Sequence, residues 1–512
     1  APAAFNHTQW FLMGRHPTVL QLERTTMIDF GSVHAVDWMT KPGWRRHPDQ
    51  RGEDWPRAYG SAGGAETFPL RFFNPSVVRL QGEARNLCQR CAYAAAVRAD
   101  SLHQCPGTWK HVVPRRIFHG TIIAILDNEL KVLGWTWMLS APYYQIRTQA
   151  GNKTWDTLND TLPNNVSDGF APSWARLPFD TRLLNVGDRA GSLLAIYTCS
   201  SCQQPSIGQL NIWAQPTNDG GLTNLQAWVG VRPQNTDMSF SRGRNQALFV
   251  HFSTKNARPT LYMQSWFGVI GTCGDLRTRQ VFSACKRSVG SITCGAHVGP
   301  LYSKTVFAQK SWQLIYNYTS SPELRHFARL GLRVSSTSNM LRVRRQEQRG
   351  NGERMKSCEV LLGVGHMHRS DTRKNMDHFL VPTRYRQAIR AHRHHLGLGP
   401  IPFRFGCHYT HFFYALRPQP PFKLIALSQE FCIESSDVPG DCESVQFVGG
   451  LSYSAERSQG NLTDDRDTHL LLSFGVNDCE AKVGMISVER VWSMLRPARA
   501  GVSMESVAQC SH

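Results

Sequence analysis

The 512-residue sequence holds no run of about twenty apolar residues, the length a bilayer-crossing helix requires, so no helical membrane span is expected. Long amphipathic helical stretches are scarce. Only His378–Leu396 and, more briefly, Ser487–Leu495 carry one. No fixed-period repeat is present, which excludes a WD-type propeller. Acid is the scarcer charge: 38 Asp and Glu stand against 57 Lys and Arg, a formal net charge of +19. Such a surface attracts polyanions, among them nucleic acid, acidic glycan, anionic lipid and sugar phosphate. No nucleic-acid reading motif accompanies the charge, so a nucleic-acid partner is not expected. Hydrophobic residues make up 41%, enough for a large core and too many for a disordered chain.

What is present points to an oxidising compartment. The cysteines number 14, an even count suited to disulfides. N-glycosylation sequons begin at Asn6, Asn152, Asn159, Asn165, Asn317 and Asn461, mostly in polar, turn-like segments. The chain opens Ala1-Pro2-Ala3-Ala4, which reads as a mature end left by a removed signal peptide or anchor. The expectation is a disulfide-bonded glycoprotein, extracellular or in the ER or Golgi lumen, touching a membrane only through such an anchor. Cys88-x-x-Cys91 and Cys199-x-x-Cys202 have the spacing of zinc knuckles or redox pairs. In a glycosylated chain both read first as disulfides, within each pair or to distant cysteines.

Short β-like runs recur from Pro69 onward: Ser76–Leu80, Gly120–Leu126, Ser192–Tyr197, Ala247–Phe252, Glu359–Val364 and His469–Phe474. Each is rich in Val, Ile, Leu or aromatics and bounded by Gly, Pro, Asn or Asp. Many short strands over more than 400 residues predict an all-β propeller or large sandwich with few short helices. Residues 1–60 read as an N-terminal wrap, 61–497 as the β domain and 498–512 as a C-terminal tail. Two insertions are expected within the domain: 149–173, which is rich in sequons, and the basic run 342–356, which reads as a solvated loop.

Candidate chemistry sits at strand ends. Between Cys407 and Val491 the chain reads strand, turn, strand, and polar and acidic residues interrupt the apolar alternation. Tyr409, His411, Glu430 and Asp478 fall at such ends, an arrangement suited to gripping a sugar. His366-x-His368 can place two rings on one strand face, the spacing of a metal site or an anion clamp. Arg369 follows at once and favours an anion, so no metal is expected. His392–His395 reads as surface. Asp180-Thr-Arg182 precedes a strand. A carboxyl beside an arginine suits proton transfer at a sugar oxygen, although salt-bridged structural acids look the same in sequence.

Several of these segments together resemble the five-bladed β-propeller enzymes that act on mannosides, namely the β-mannoside phosphorylases and hydrolases and the related β-1,2-mannosyltransferases. Phe72-Phe-Asn-Pro-Ser-Val-Val78 is similar to that family's first-blade strand. Phe179-Asp-Thr-Arg-Leu-Leu184 resembles its Asp-Pro-Arg turn, with Thr181 in place of the proline. Val360–His366, continued by Met367 and His368, resembles its strand ending in Tyr-His-Gly. Phe413–Ser428 looks like its paired strands around an isoleucine-bearing turn, and Ser473–Asp478 like its closing motif. The matches follow the family's order.

The resemblance implies a five-bladed propeller with Asp180 as general acid or base. Arg182 and His366 or His368 would face phosphate, and Asn74 and Asp478 would hold sugar hydroxyls. A secretory compartment supplies glycan acceptors and sugar nucleotides, so the expected activity is an inverting glycosyltransferase using a sugar-nucleotide donor and a glycan or glycoprotein acceptor. Two alternatives stand beside it: a phosphorylase or hydrolase of the same fold, and a non-catalytic glycan-binding or structural propeller.

Overall fold

A computed structural model describes residues 18–31, 70–81, 87–100, 119–140, 178–185, 193–198, 206–229, 247–252, 259–266, 269–275, 284–288, 291–298, 313–317, 333–336, 339–347, 356–368, 409–420, 422–436, 438–443, 446–454, 469–476, 479–497, 504 and 508–511. These residues are almost entirely β-strand. The one helix among them is Val488–Met494, seven residues N-capped by Ser487, whose side chain accepts from the backbone N–H of Arg490. No helix among the described residues is long and apolar enough to cross a membrane.

The strands assemble in chain order into antiparallel runs. Arg71–Arg79, Tyr93–Asp100, His119–Leu126 and Val132–Ser140 pair consecutively. So do Phe179–Asn185, Leu193–Thr198, Ser206–Pro216 and Leu222–Val229. A third run is Ala247–Phe252, Pro259–Trp266, Val269–Asp275 and Gln313–Asn317. A fourth is built on Lys356–His368 and Tyr409–Leu416, flanked by Leu341–Glu347 and Leu424–Leu427. The fifth is Gln446–Tyr453, His469–Val476 and Glu480–Ser487, and the chain's own early strand Arg24–Met27 completes it. The first two runs join through a short parallel contact of their outer strands, Ala227–Val229 against Met138–Ser140.

The core lies between runs rather than inside one. In the second strand, Ala94 and Ala96 pack toward Leu193, Leu210 and Ile212 of the second run, whereas Ala95, Val97 and Ala99 pack toward Leu471 and Val483 of the fifth. A strand buried on both faces reads as a continuous apolar run, and small side chains let the sheets approach. A third cluster packs the fourth run on the fifth through Val364, Phe413, Val448 and Leu472, capped by Val491 and Trp492 of the helix.

The first strand of a run has an open edge, and unpaired edge N–H groups need partners. Side chains of the neighbouring run supply them. Val77 N–H donates to Ser473 Oγ at 3.2 Å, Leu183 N–H to Ser76 Oγ at 2.9 Å, Val448 N–H to His411 Nε2 at 3.2 Å and Leu451 N–H to Asn339 Oδ1 at 3.1 Å. Met340 N–H donates to Leu248 O at 2.9 Å. The runs are thereby stitched in the order third, fourth, fifth, first, second.

Each β-like run named from sequence overlaps a strand among the described residues. Residues 342–347 do not form the expected solvated loop. They belong to the strand Leu341–Glu347, with Val343 buried and Arg342 and Arg344 paired to Glu359 across the hairpin. The basic charge hid a period-two alternation. The expected wrap contributes Thr18–Leu20, parallel to Phe431–Ile433, and Gln509–Ser511 of the expected tail pairs with Lys356–His368. Cys88 and Cys91 are disulfide-bonded to each other, as are Cys432 and Cys442. Disulfides fit an oxidising compartment. Cys199, Cys202, residues 149–173 and His378–Leu396 lie outside the described residues.

Candidate functional site

Two first strands carry the same irregularity. Opposite Tyr93–Asp100, the register shifts between Phe73 and Ser76; opposite Leu193–Thr198, it shifts between Phe179 and Arg182. Within each bulge one residue turns left-handed, Asn74 at φ 49° and Asp180 at φ 50°. Asn and Asp are the non-glycine residues that adopt this conformation most readily. A bulge re-aims side chains that a flat strand would alternate, and here it sets an amide and a carboxylate at the same end of neighbouring strands. The fifth run also shifts, between Val448 and Gly450. A Cβ on Gly449 would lie 2.4 Å from Pro75 O, and one on Gly475 would meet the Asn74 side chain, so glycine is what lets these strands close on the Asn74 bulge.

Asp180 forms an ion pair with Arg98, Oδ1 to Nη1 2.8 Å, with side-chain exposures of 10% and 17%. The Arg98 guanidinium also lies 5.1 Å from the centre of the Phe73 ring. Arg182, two residues from Asp180, is buried and donates through Nη1 to Thr181 O at 3.1 Å. Burial pulls its guanidinium below the ordinary arginine value; the charge of Asp180 opposes that and Arg98 adds to it. The group stays cationic throughout the physiological range. Thr181 is held by a 2.9 Å hydroxyl–hydroxyl bond to Thr121.

Phe447 is the hub. The Arg182 guanidinium stacks 5.2 Å from its ring centre, a cation–π contact. His366 and Tyr409 meet the same ring at 5.2 and 5.6 Å and each other at 5.3 Å. Arg182, His366 and Tyr409, brought from two runs, thus meet around one aromatic ring, and the charge of Asp180 acts on the Arg182 of that group. Tyr409 is half-buried, and His366 is buried beneath it.

The remaining expected residues fall elsewhere or beyond view. His411 shares a strand face with Tyr409 but is fully buried and uses Nε2 to accept Val448 N–H, a structural task. Glu430 accepts from the Thr410 hydroxyl, and Thr410 alternates to the face opposite Tyr409 and His411. His368 stands opposite Arg333 and Tyr409 in backbone register. Arg369, Asp478 and the sequons at Asn6, Asn152, Asn159, Asn165 and Asn461 lie outside the described residues. Asn317 ends the edge strand Gln313–Asn317.

Two contributors escape the sequence reading, Arg98 and Phe447. Arg98 leaves one trace, a single cation in the alanine-rich run Tyr93–Asp100. Phe447 leaves none, since it reads as one more apolar strand residue. Among the described residues no group of three or more His, Cys, Asp or Glu is placed to hold a metal.

No protein-family model and no curated protein matches this chain. Among solved structures, it is similar to a glycosyl hydrolase from Bacteroides ovatus, with 11% identity and a TM-score of 0.35 over 93% of this chain and 96% of that one. It is also similar to a hypothetical protein from Leishmania major, at 10% identity and TM-score 0.28, and to MPT-1, a GDP-Man-dependent mannosyltransferase from Leishmania mexicana, at 9% and 0.27. Each of the latter two comparisons spans 82% of this chain and 85% of the other. Likeness at this level leaves the functional case to the site itself.

Proposed function

We propose that the chain is a lumenal or secreted carbohydrate-active enzyme, an inverting glycosyltransferase, built as a five-bladed β-propeller with its active site at the Asp180 end of the first strands. The reading of five blades rests on the five antiparallel runs, the edge-capping bonds that join them in chain order, and the closure of the last run by Arg24–Met27.

The observation that carries the chemistry is the gathering of Arg182, His366 and Tyr409 around Phe447, with Asp180 coupled to Arg182 by charge and paired to Arg98. An ion pair is made by the carboxylate anion, and an anion accepts a proton. Asp180, held by Arg98, takes the proton of an acceptor hydroxyl as that oxygen attacks the anomeric carbon. The bond from the anomeric carbon to the donor's phosphate oxygen breaks on the opposite face, which inverts the centre. The departing phosphate charge falls to Arg182 and its cationic neighbours. Tyr409 and Phe447 offer aromatic surface to a sugar ring, and the Asn74 amide offers hydrogen bonds to its hydroxyls.

The test is a turnover screen of the full glycosylated chain. One arm offers sugar nucleotides with glycan acceptors; the other offers mannosides with and without inorganic phosphate. Transfer with inversion is expected, and Asp180→Asn lowers it by at least about a hundredfold. Asparagine tolerates the left-handed backbone, so the variant keeps its fold. Phosphate-dependent cleavage instead of transfer assigns the site to a phosphorylase. Glycan binding without turnover, or full turnover by Asp180→Asn, overturns the catalytic reading.

A further inference from the structure

The strands that begin at the candidate active site end at a second polar opening. Asp180 and Asn185 are separated by about 16 Å of strand, five steps of about 3.3 Å. The far ends of Arg71–Arg79, Phe179–Asn185 and Gln446–Tyr453 meet there with Asn339–Arg342 around a cavity of about 240 Å³. Its wall is built rather than incidental. Asn185 Nδ2 donates to Arg79 O at 2.8 Å, and Arg79 N–H donates to Ser452 Oγ at 2.9 Å. The Tyr453 hydroxyl donates to Arg342 O at 2.6 Å. Val78, Leu184 and Leu451 give it an apolar floor.

Its charge is one-sided. Arg79 and Arg342 line it, and no carboxylate is among the described lining residues. The adjacent Glu359 is shared: Arg344 approaches its Oε1 at 2.9 Å and Arg342 its Oε2 at 3.3 Å, so one anion answers two guanidiniums. His251, 3.4 Å from Arg342, adds no charge near neutral pH, because burial and then the Arg342 cation hold its imidazole below the ordinary value.

We propose that this far-end cavity is a second ligand site, separate from the Asp180 site, for a small organic anion of single-sugar size bearing a phosphate or carboxylate. The volume sets the size, being below the roughly 300–1,000 Å³ of pockets for drug-sized ligands. The cations Arg79, whose Nη1 donates to Ser454 O at 3.3 Å, and Arg342 set the charge, since planar forks favour phosphate and carboxylate oxygens. The apolar floor beside hydrogen-bonding walls sets the rest, a compact body with hydroxyls. The site does not rest on the transferase reading.

The experiment is calorimetric titration of the full chain with mannose 1-phosphate and glucuronate, and with uncharged mannose and glucose, at two salt concentrations. Saturable binding of a charged sugar is expected, with none of its neutral counterpart. Arg342→Gln weakens it by at least about tenfold. Val250 of the strand Ala247–Phe252 also lines the cavity, and Val250→Trp, which fills it without removing charge, abolishes binding. Asp180→Asn leaves it unchanged. Absence of saturable binding overturns the proposal. Binding that survives both cavity variants but is lost with Asp180→Asn overturns it too, by moving the anion to the other end.

Discussion

Asp180 and Asn74 sit in the same left-handed bend of equivalent bulges, and that backbone decides where their side chains go. The segments Phe73-Asn-Pro-Ser76 and Phe179-Asp-Thr-Arg182 therefore share a shape that their letters only partly share. Sequence singled out both acids and amides, but not the bend, since nothing local distinguishes a bulge from a strand start. Arg98 went unseen because its role depends on a carboxylate 82 positions away. Another residue works purely as support. Lys482 is buried, 2.6 Å from Glu443 and 3.0 Å from Glu480, and donates to Ser436 Oγ. Burial alone would lower its ammonium, but the two carboxylates outweigh burial and hold it above the ordinary lysine value. Its contribution to stability is therefore complete below the unfolded value of about 10.4 and is lost as pH rises through the higher folded value. Lys482→Met strands the Glu443 carboxylate in the core and is expected to cost about 3–5 kcal/mol. Chemical denaturation checks this, and the double variant with Glu443→Leu recovers most of the loss.

At the scale of strands, alternation and burial explain both what was legible and what was not. Gly120–Leu126 and His469–Phe474 announce themselves because both faces are apolar. Leu341–Glu347 does not, because Arg342, Arg344 and Arg345 outnumber its apolar Leu341 and Val343 and read as a charged loop until Glu359 appears opposite Arg342 and Arg344. Phe447 is legible as a strand residue and illegible as a site residue, since its partners Arg182, His366 and Tyr409 come from two other runs. Close strand approach gives a test at this level. Gly449→Ala would press a Cβ against the Pro75 carbonyl, a backbone atom with little room to yield. The expected result is destabilisation of about 1–3 kcal/mol, seen as a lower melting temperature, together with weakened turnover because the Asn74 bulge is displaced.

For the molecule as a whole, the runs of strands are joined edge to edge by bonds to Ser76, Ser473, His411 and Asn339, and the first strand Phe179–Asn185 carries Asp180 at one end and the cavity-lining Asn185 at the other. The all-β class was readable from the apolar runs of the strands. Their convergence was not, because it is fixed by bonds between residues as distant as Val77 and Ser473. A net charge of +19 spread over such a body favours anionic ligands at either opening. The most direct measurement is a crystal structure of the full chain with an accepted glycan bound. The account predicts a sugar hydroxyl within about 3 Å of the Asp180 carboxylate, a hydrogen-bond distance, with the ring lying against Tyr409 and Phe447. A glycan seated elsewhere on the surface, with Asp180 still sealed against Arg98 and no sugar near it, would contradict the account.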